Sequence, residues 1–250
     1  MSLHLVAYYQ AATANAVLAP IPAVADGTVR VVANDVYVPK GMAQVLAVAA
    51  LINSAAATVR AQLQAPSLRA TLNYDIEPIG NGLLWGSSPA NDCKFDAPVP
   101  LSENEPLEFW VQNGAAVVNQ GLVWLGDGPA KSVGGRIYSV RATGSATLAA
   151  GVWVNTPLVF SQTLPAGNYQ CVGLRAWGAN LVAARLFSVG SPWRPGVQAV
   201  NAAANLDDEQ FRLGAPGVLA EFANTTPPTM DCFGITDAAQ VFILDLIKTA

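Results

Sequence analysis

The stretch Val38–Leu51, VPKGMAQVLAVAAL, decides how this chain is read. Taken alone it is ambiguous, because a short continuous apolar run fits either a helix or a fully buried strand. A second phrase, LPAGNYQCVGLRAW at Leu164–Trp177, lies 126 residues further on and breaks the tie. At that spacing Pro39 matches Pro165, Gly41 matches Gly167, Gln44 matches Gln170 and Pro66 matches Pro192, and one gap aligns Arg60 with Arg185. The second phrase carries Gly173 inside and, with Tyr169 and Trp177, is aromatic and suited to strand. If the two are equivalent, both run extended through Gln44 and Gln170. The ends of the halves agree in kind as well: NGAAVVNQGLVWLGDG closes near residue 128 and TDAAQVFILDLIKTA closes the chain. The order of these matches predicts two homologous β-domains, 22–130 and 131–250, preceded by an N-terminal arm or helix over 1–21.

Alternation elsewhere supports the strand reading. In ATVRAQLQAP, Val59, Ala61 and Leu63 oppose Thr58, Arg60, Gln62 and Gln64. LRATLNYDIEPI (Leu68–Ile79) alternates over its length, and LEFWVQNG closes on Asn113-Gly114, a hairpin signal. Further strands are predicted at 28–38, 121–125, 136–141, 151–154, 157–162, 169–176, 181–189 and 240–247. The 17 prolines and 21 glycines punctuate them at short intervals, as in sandwiches and barrels. A cap, an acidic first turn and a stop at Gly214 predict one short helix at Asn205–Leu213.

Hydrophobic residues make up 52% of the 250 and charged residues 12%. Soluble domains average about a quarter charged, so much of the surface is expected to be covered. No window reaches the roughly 20 apolar residues of a spanning helix; the best, Met42–Ala57, includes Gln44, Asn53 and Ser54. The first twenty residues lack the basic region of a signal peptide. A net charge of −4 with scattered Lys and Arg gives no footprint for direct nucleic-acid binding. Cys93, Cys171 and Cys232 are odd in number and widely spaced, which fits buried free thiols better than disulfides or a metal site.

Catalytic chemistry finds few candidates. The single histidine, His4, falls in a segment expected to be mobile, so His-based triads and metal sites are not expected. Asp75, Glu77, Glu103, Glu105 and Glu108 read as solvated faces and not as an acid pair. No phosphate loop occurs. The chain is read as a non-enzyme without cofactor or metal. Of six tryptophans, only Trp85 in LLWGSSPAND and Trp193 in GSPWRPG sit in loop contexts suited to stacking a ligand.

Two tandem all-β domains of this size, poor in charge and without a catalytic set, resemble the double jelly-roll major capsid proteins of tailless bacterial viruses and of the adenovirus hexon lineage. The resemblance is one of architecture and covers the whole chain. It implies an all-β fold of two tandem jelly-roll β-sandwiches with few short helices. It also implies homotrimers of pseudo-sixfold outline that tile an icosahedral shell, in a virion assembled in the host cytoplasm. The implied partners are the chain itself, other capsid or vertex proteins and, as in many members of that lineage, an internal membrane. Small side chains permit close approach of neighbouring flanks, so Ala49, Ala50, Ala55, Ala56 and Ala57 are the candidate subunit-interface residues. Two alternatives share the composition: a phage decoration or spike protein, and a lectin-like carbohydrate-binding sandwich, which would need Trp85 and Trp193 exposed on a rim.

Overall fold

The computed structural model describes residues 2–52, 58–70, 72–76, 79–80, 92–93, 97–199, 211–236 and 238–249. In the first half the chain runs β1 (Leu3–Thr13), β2 (Ala19–Ile21), β3 (Val31–Val32), β4 (Asp35–Tyr37), β5 (Gln44–Ile52), β6 (Thr58–Gln64), the single helical turn α1 (Pro66–Arg69), β7 (Tyr74–Ile76), β8 (Ile79–Gly80), β9 (Asp92–Cys93), β10 (Val99–Pro100), β11 (Pro106–Asn113) and β12 (Val117–Gly126). The second half follows with β13 (Tyr138–Gly144), β14 (Trp153–Pro157), β15 (Val159–Phe160), β16 (Asn168–Trp177), β17 (Leu181–Phe187), β18 (Gly196–Gln198), β19 (Ala220–Ala223), β20 (Thr229–Gly234) and β21 (Gln240–Lys248). The structure is all-β, and among the described residues no helix is long and apolar enough to cross a membrane.

Four sheets result. Two draw only on residues 3–126: β1-β12-β5-β10, with β8 and β9 also on β5, and β3-β4-β11-β6-β7, with β2 on β11. Two draw only on residues 138–248: β15-β13-β21-β16-β19 and β14-β20-β17-β18. Among the described residues pairing is antiparallel except for β5 with β8. The last strand of each half, β12 or β21, lies between the first strand and the one holding the repeated phrase.

The repeated phrase behaves as the sequence predicts. Gln44 opens β5 and Gln170 lies in β16, and both strands are extended. Gly41 and Gly167 both take positive φ (76° and 145°) just ahead of them, a region costly for other residues. The ladders also break at the same place. Between Ala47↔Trp124 and Val45↔Leu125, Leu46 is the extra residue; between Gly173↔Asp245 and Cys171↔Leu246, it is Val172. These two bulges are 126 residues apart, the spacing of the sequence matches. Gly173 is glycine because a Cβ there would run into the Asp245 side chain and the Phe211 carbonyl.

Several expectations change. Residues 3–13 are neither a helix nor a free arm but a strand paired with β12 along its length. Leu3, Leu5 and Ala7 bury toward one side, Val6 and Tyr8 toward the other, so both faces of this strand are covered. Among the described residues the Leu68–Ile79 stretch begins in the helical turn that Pro66 starts and yields β7 and the first residue of β8 in place of one long strand. Asn113-Gly114 makes no hairpin: β11 and β12 belong to different sheets and the chain crosses between them. Asn113 holds that crossing, accepting from the Asn15 amide at 2.5 Å and donating to the Thr13 carbonyl and to Asn119 Oδ1. The helix expected at Asn205–Leu213 lies, up to residue 210, outside the described residues.

Two apolar clusters hold the structure. One fills the space between the two first-half sheets, with Val6, Tyr8, Val48, Val123, Leu63 and Phe109 at its centre. The other merges the interior of the second half with the opposite face of β1, β12 and β5, joining Leu5, Leu122 and Trp124 to Val182, Leu186 and Phe233. The β1-β12-β5 sheet is thus buried on both faces, which is why its strands read as continuous apolar runs instead of alternating ones. Part of the shortage of charge is met inside the chain, by one half covering the other.

Candidate functional site

Where the halves meet, five ionisable side chains converge. β1 supplies His4, the turn after β2 supplies Asp26, β17 supplies Arg185, β20 supplies Asp231, and the loop between β17 and β18 supplies Arg194. The Arg185 side chain is 1% exposed. Its Nη1 donates to Asp26 Oδ2 at 2.7 Å and to the Leu5 carbonyl at 2.9 Å, and its Nε donates to Asp231 Oδ2 at 3.2 Å. Its guanidinium lies 3.9 Å from the Trp153 ring centre, and that of Arg194 lies 3.8 Å from the Phe187 ring. Asp26 is fixed by its own turn, Oδ1 accepting from the amides of Thr28 and Val29.

His4, 0% exposed, completes the cluster. Its Nδ1 accepts from the Arg194 amide at 3.1 Å, which leaves Nε2 as the protonated nitrogen donating to Asp26 Oδ2 at 3.0 Å. The ring meets Trp193 edge-on. Burial pushes the imidazole below its ordinary value; Asp26 opposes this, while Arg185 and Arg194 add to it. Burial pushes the Asp26 carboxyl up, but the His4 hydrogen bond and the Arg185 charge outweigh it and hold it well below the usual range. The expected mobile histidine is therefore a fixed, neutral, doubly bonded one.

An open depression of about 320 Å³ lies beside the cluster, bordered by Trp153, Asn155, Phe187 and the charged groups. No side chain there is a free nucleophile or base: the imidazole has both nitrogens engaged, and each carboxylate serves a guanidinium. The arrangement fastens the first half to the second. Removing one member of such a set leaves buried charge unpaired.

A pH dependence follows. Free histidine titrates near pH ~6.5, and the folded protein binds that proton less readily. The His4 contribution is then complete above about pH 6.5 and is lost as pH falls below it; Asp26, held low, adds a further loss below about pH 4. His4 is the only histidine. Melting curves at pH 7.5 and 5.0 should show a fall in Tm for the native chain that is largely absent in His4→Gln. Equal pH slopes in the two proteins would contradict the assignment.

The residues singled out from sequence are dispersed. Ala49 and Ala50 are 0% and 2% exposed and line the two internal clusters, so they face the chain's own interior and not a neighbour. Ala55, Ala56, Ala57 and Trp85 lie outside the described residues. Trp193 is half-buried against the first-half cluster and His4, with one side on a shallow surface depression. Arg60, on the same strand of its sheet as Arg185 is of its own, is exposed and pairs with Asp75. Glu105 is buried, accepting from the Ser67 and Ser102 amides and the Ser67 hydroxyl. Glu103 caps Gly41, Glu108 pairs with Arg69, and Glu77 is outside the described residues. Cys171 and Cys232 are buried and in no disulfide, and burial pushes the Cys171 thiol up to about 12. The charge cluster left one legible trace: Arg185 is the lone charge inside LVAARLF, an otherwise apolar strand.

Comparison with known protein families, with characterised proteins and with solved structures finds no match for this chain.

Proposed function

We propose that the two halves are tandem jelly rolls and that the chain is a viral major capsid protein, building trimers of pseudo-sixfold outline that tile an icosahedral shell. One observation carries the reading. With eight strands of each half lettered B to I along the chain, the first half reads B-I-D-G as β1-β12-β5-β10 and C-H-E-F as β4-β11-β6-β7; the second reads B-I-D-G as β13-β21-β16-β19 and C-H-E-F as β14-β20-β17-β18. An order of this kind, recurring in the second half with a bulge at the same point of strand D, supports the jelly-roll reading. The first roll then spans 3–126 and the second 138–248, with 127–137 between them.

A tile of this kind needs six similar modules, and three two-module chains supply them. Sedimentation of the recombinant chain and electron microscopy of its assemblies test this. The expected result is a species of three chains that packs into hexagonal arrays or closed shells. Discrete trimers that never tile would favour a decoration or spike protein. A monomer that stays soluble at high concentration would remove the capsid reading.

A further inference from the structure

We infer that the depression beside the junction cluster binds a small hydroxylated carboxylate, such as a uronic acid, through the guanidinium donors of Arg185 and Arg194 that the protein leaves unused. The inference does not depend on the shell reading, because it rests on side chains within one chain.

The spare hydrogen-bonding capacity around the depression is one-sided. Arg185 borders it although its side chain is 1% exposed. Its Nε and Nη1 are engaged by Asp231, Asp26 and the Leu5 carbonyl, while Nη2 has no acceptor among the described residues. Arg194 gives Nη1 to the Ser191 carbonyl. Its Nε is buried without a hydrogen bond, 3.5 Å from Asp231 Oδ2. The indole Nε1 of Trp153, on the same border, is a further buried donor without an acceptor. Native structures rarely leave buried donors unmatched, and such groups point to a water, an ion or a ligand. Here all of them ask for an acceptor.

The donors are also held in place. The Arg185 guanidinium lies over the Trp153 ring and that of Arg194 over the Phe187 ring. Both reach toward Asp231 Oδ2, which brings the two groups to one side of the depression. Their positions are set before a ligand arrives, so little ordering remains for binding to offset.

Charge selects the ligand. Two guanidiniums face two carboxylates, Asp26 and Asp231, and His4 is neutral, so the cluster carries no net charge. A dianion such as phosphate would meet repulsion from both carboxylates with no excess cation to offset it. A carboxylate carries one charge and two coplanar oxygens, which suit planar guanidinium donors. Asn155 supplies the opposite polarity. Its Nδ2 is spent on Thr229 and Asp231, which leaves the Oδ1 of an exposed side chain for a ligand hydroxyl. Trp153 and Phe187 give an apolar wall, and about 320 Å³ is the small end of ligand pockets.

The test adds glucuronate to the full chain and reads calorimetry and melting temperature. A ligand of this size should bind with a dissociation constant on the order of 1 mM, and saturation should raise Tm. Glucose, the same ring without the carboxylate, and inorganic phosphate should each bind about tenfold more weakly or worse. Arg194→Gln should weaken glucuronate by about tenfold. Asn155→Ala, at an exposed position that leaves both arginines in place, should weaken it by about two- to tenfold, and it decides the matter if Arg194→Gln does not fold. Native-like binding by either variant, glucose or phosphate binding as well as glucuronate, or no heat and no Tm shift with glucuronate would overturn the site. Each of these results leaves the shell reading in place.

Discussion

Arg185→Ala is expected to destabilise the protein by about 3–5 kcal/mol, the cost of breaking a buried ion pair from one side. The loss is large because three acceptors depend on one guanidinium: Asp26, Asp231 and the Leu5 carbonyl. Asp26 and Leu5 belong to the first half and Asp231 to the second, so the substitution loosens the junction, takes the guanidinium from Asp26 and leaves Asp231 with Arg194 at 3.5 Å. Lysine is not an adequate replacement, since a single ammonium cannot serve separate acceptors along two edges of a planar fork. Removing the carboxylates together with the arginine, as Asp26→Asn, Arg185→Met and Asp231→Asn, should cost less than the single Arg185→Ala change. Chemical denaturation with urea measures both. A loss under 1 kcal/mol for Arg185→Ala would mean that the cluster is incidental to the junction.

Trp124→Ala is expected to cost about 3–5 kcal/mol, as for other large core aromatics. Trp124 is fully buried and, among the described residues, is the largest such side chain. It sits on β12 but packs toward the second half, with its ring 6.0 Å from that of Phe211 and its Nε1 bonded to the Gly196 carbonyl. Truncation opens a cavity between the halves and orphans that carbonyl, two penalties that add. At roughly 2–4 °C per kcal/mol for a chain of this size, Tm should drop by about 6–20 °C. Trp124→Phe keeps most of the volume and loses the hydrogen bond, so its smaller loss separates the two contributions. If Trp124→Ala melted within a degree of the native chain, the junction would not be the packed core described.

Both effects live at a boundary that the sequence marks only faintly. Alternation in residues 107–113 identifies a strand with one face buried and the other half-buried, and in residues 60–64 the polar positions Gln62 and Gln64 are covered but keep hydrogen-bond partners, so the difference between faces is written into successive side chains. The same logic misreads β1 and β5. Buried on both faces, they lose the polar half of the pattern, so Leu3–Tyr8 passes for an arm or helix and Ala49 and Ala50 pass for an outer flank. Asn113-Gly114 has the composition of a hairpin turn, yet the choice between turning back and crossing to the other sheet rests on where β12 finds its partners, and those are β1 and β5.

What the sequence determined by itself is the all-β class, the extended state of the repeated phrase and the correspondence of the halves at a spacing of 126. These depend on local periodicity, on glycines at positive φ and on matches that survive without knowledge of contacts. Tertiary structure alone decided that one half covers the other. It also brought His4, Asp26, Arg185, Arg194 and Asp231 together from positions up to 227 residues apart. Ion pairing and desolvation act through space, so five scattered charges carry no mark of their meeting until the sheets that hold them are stacked.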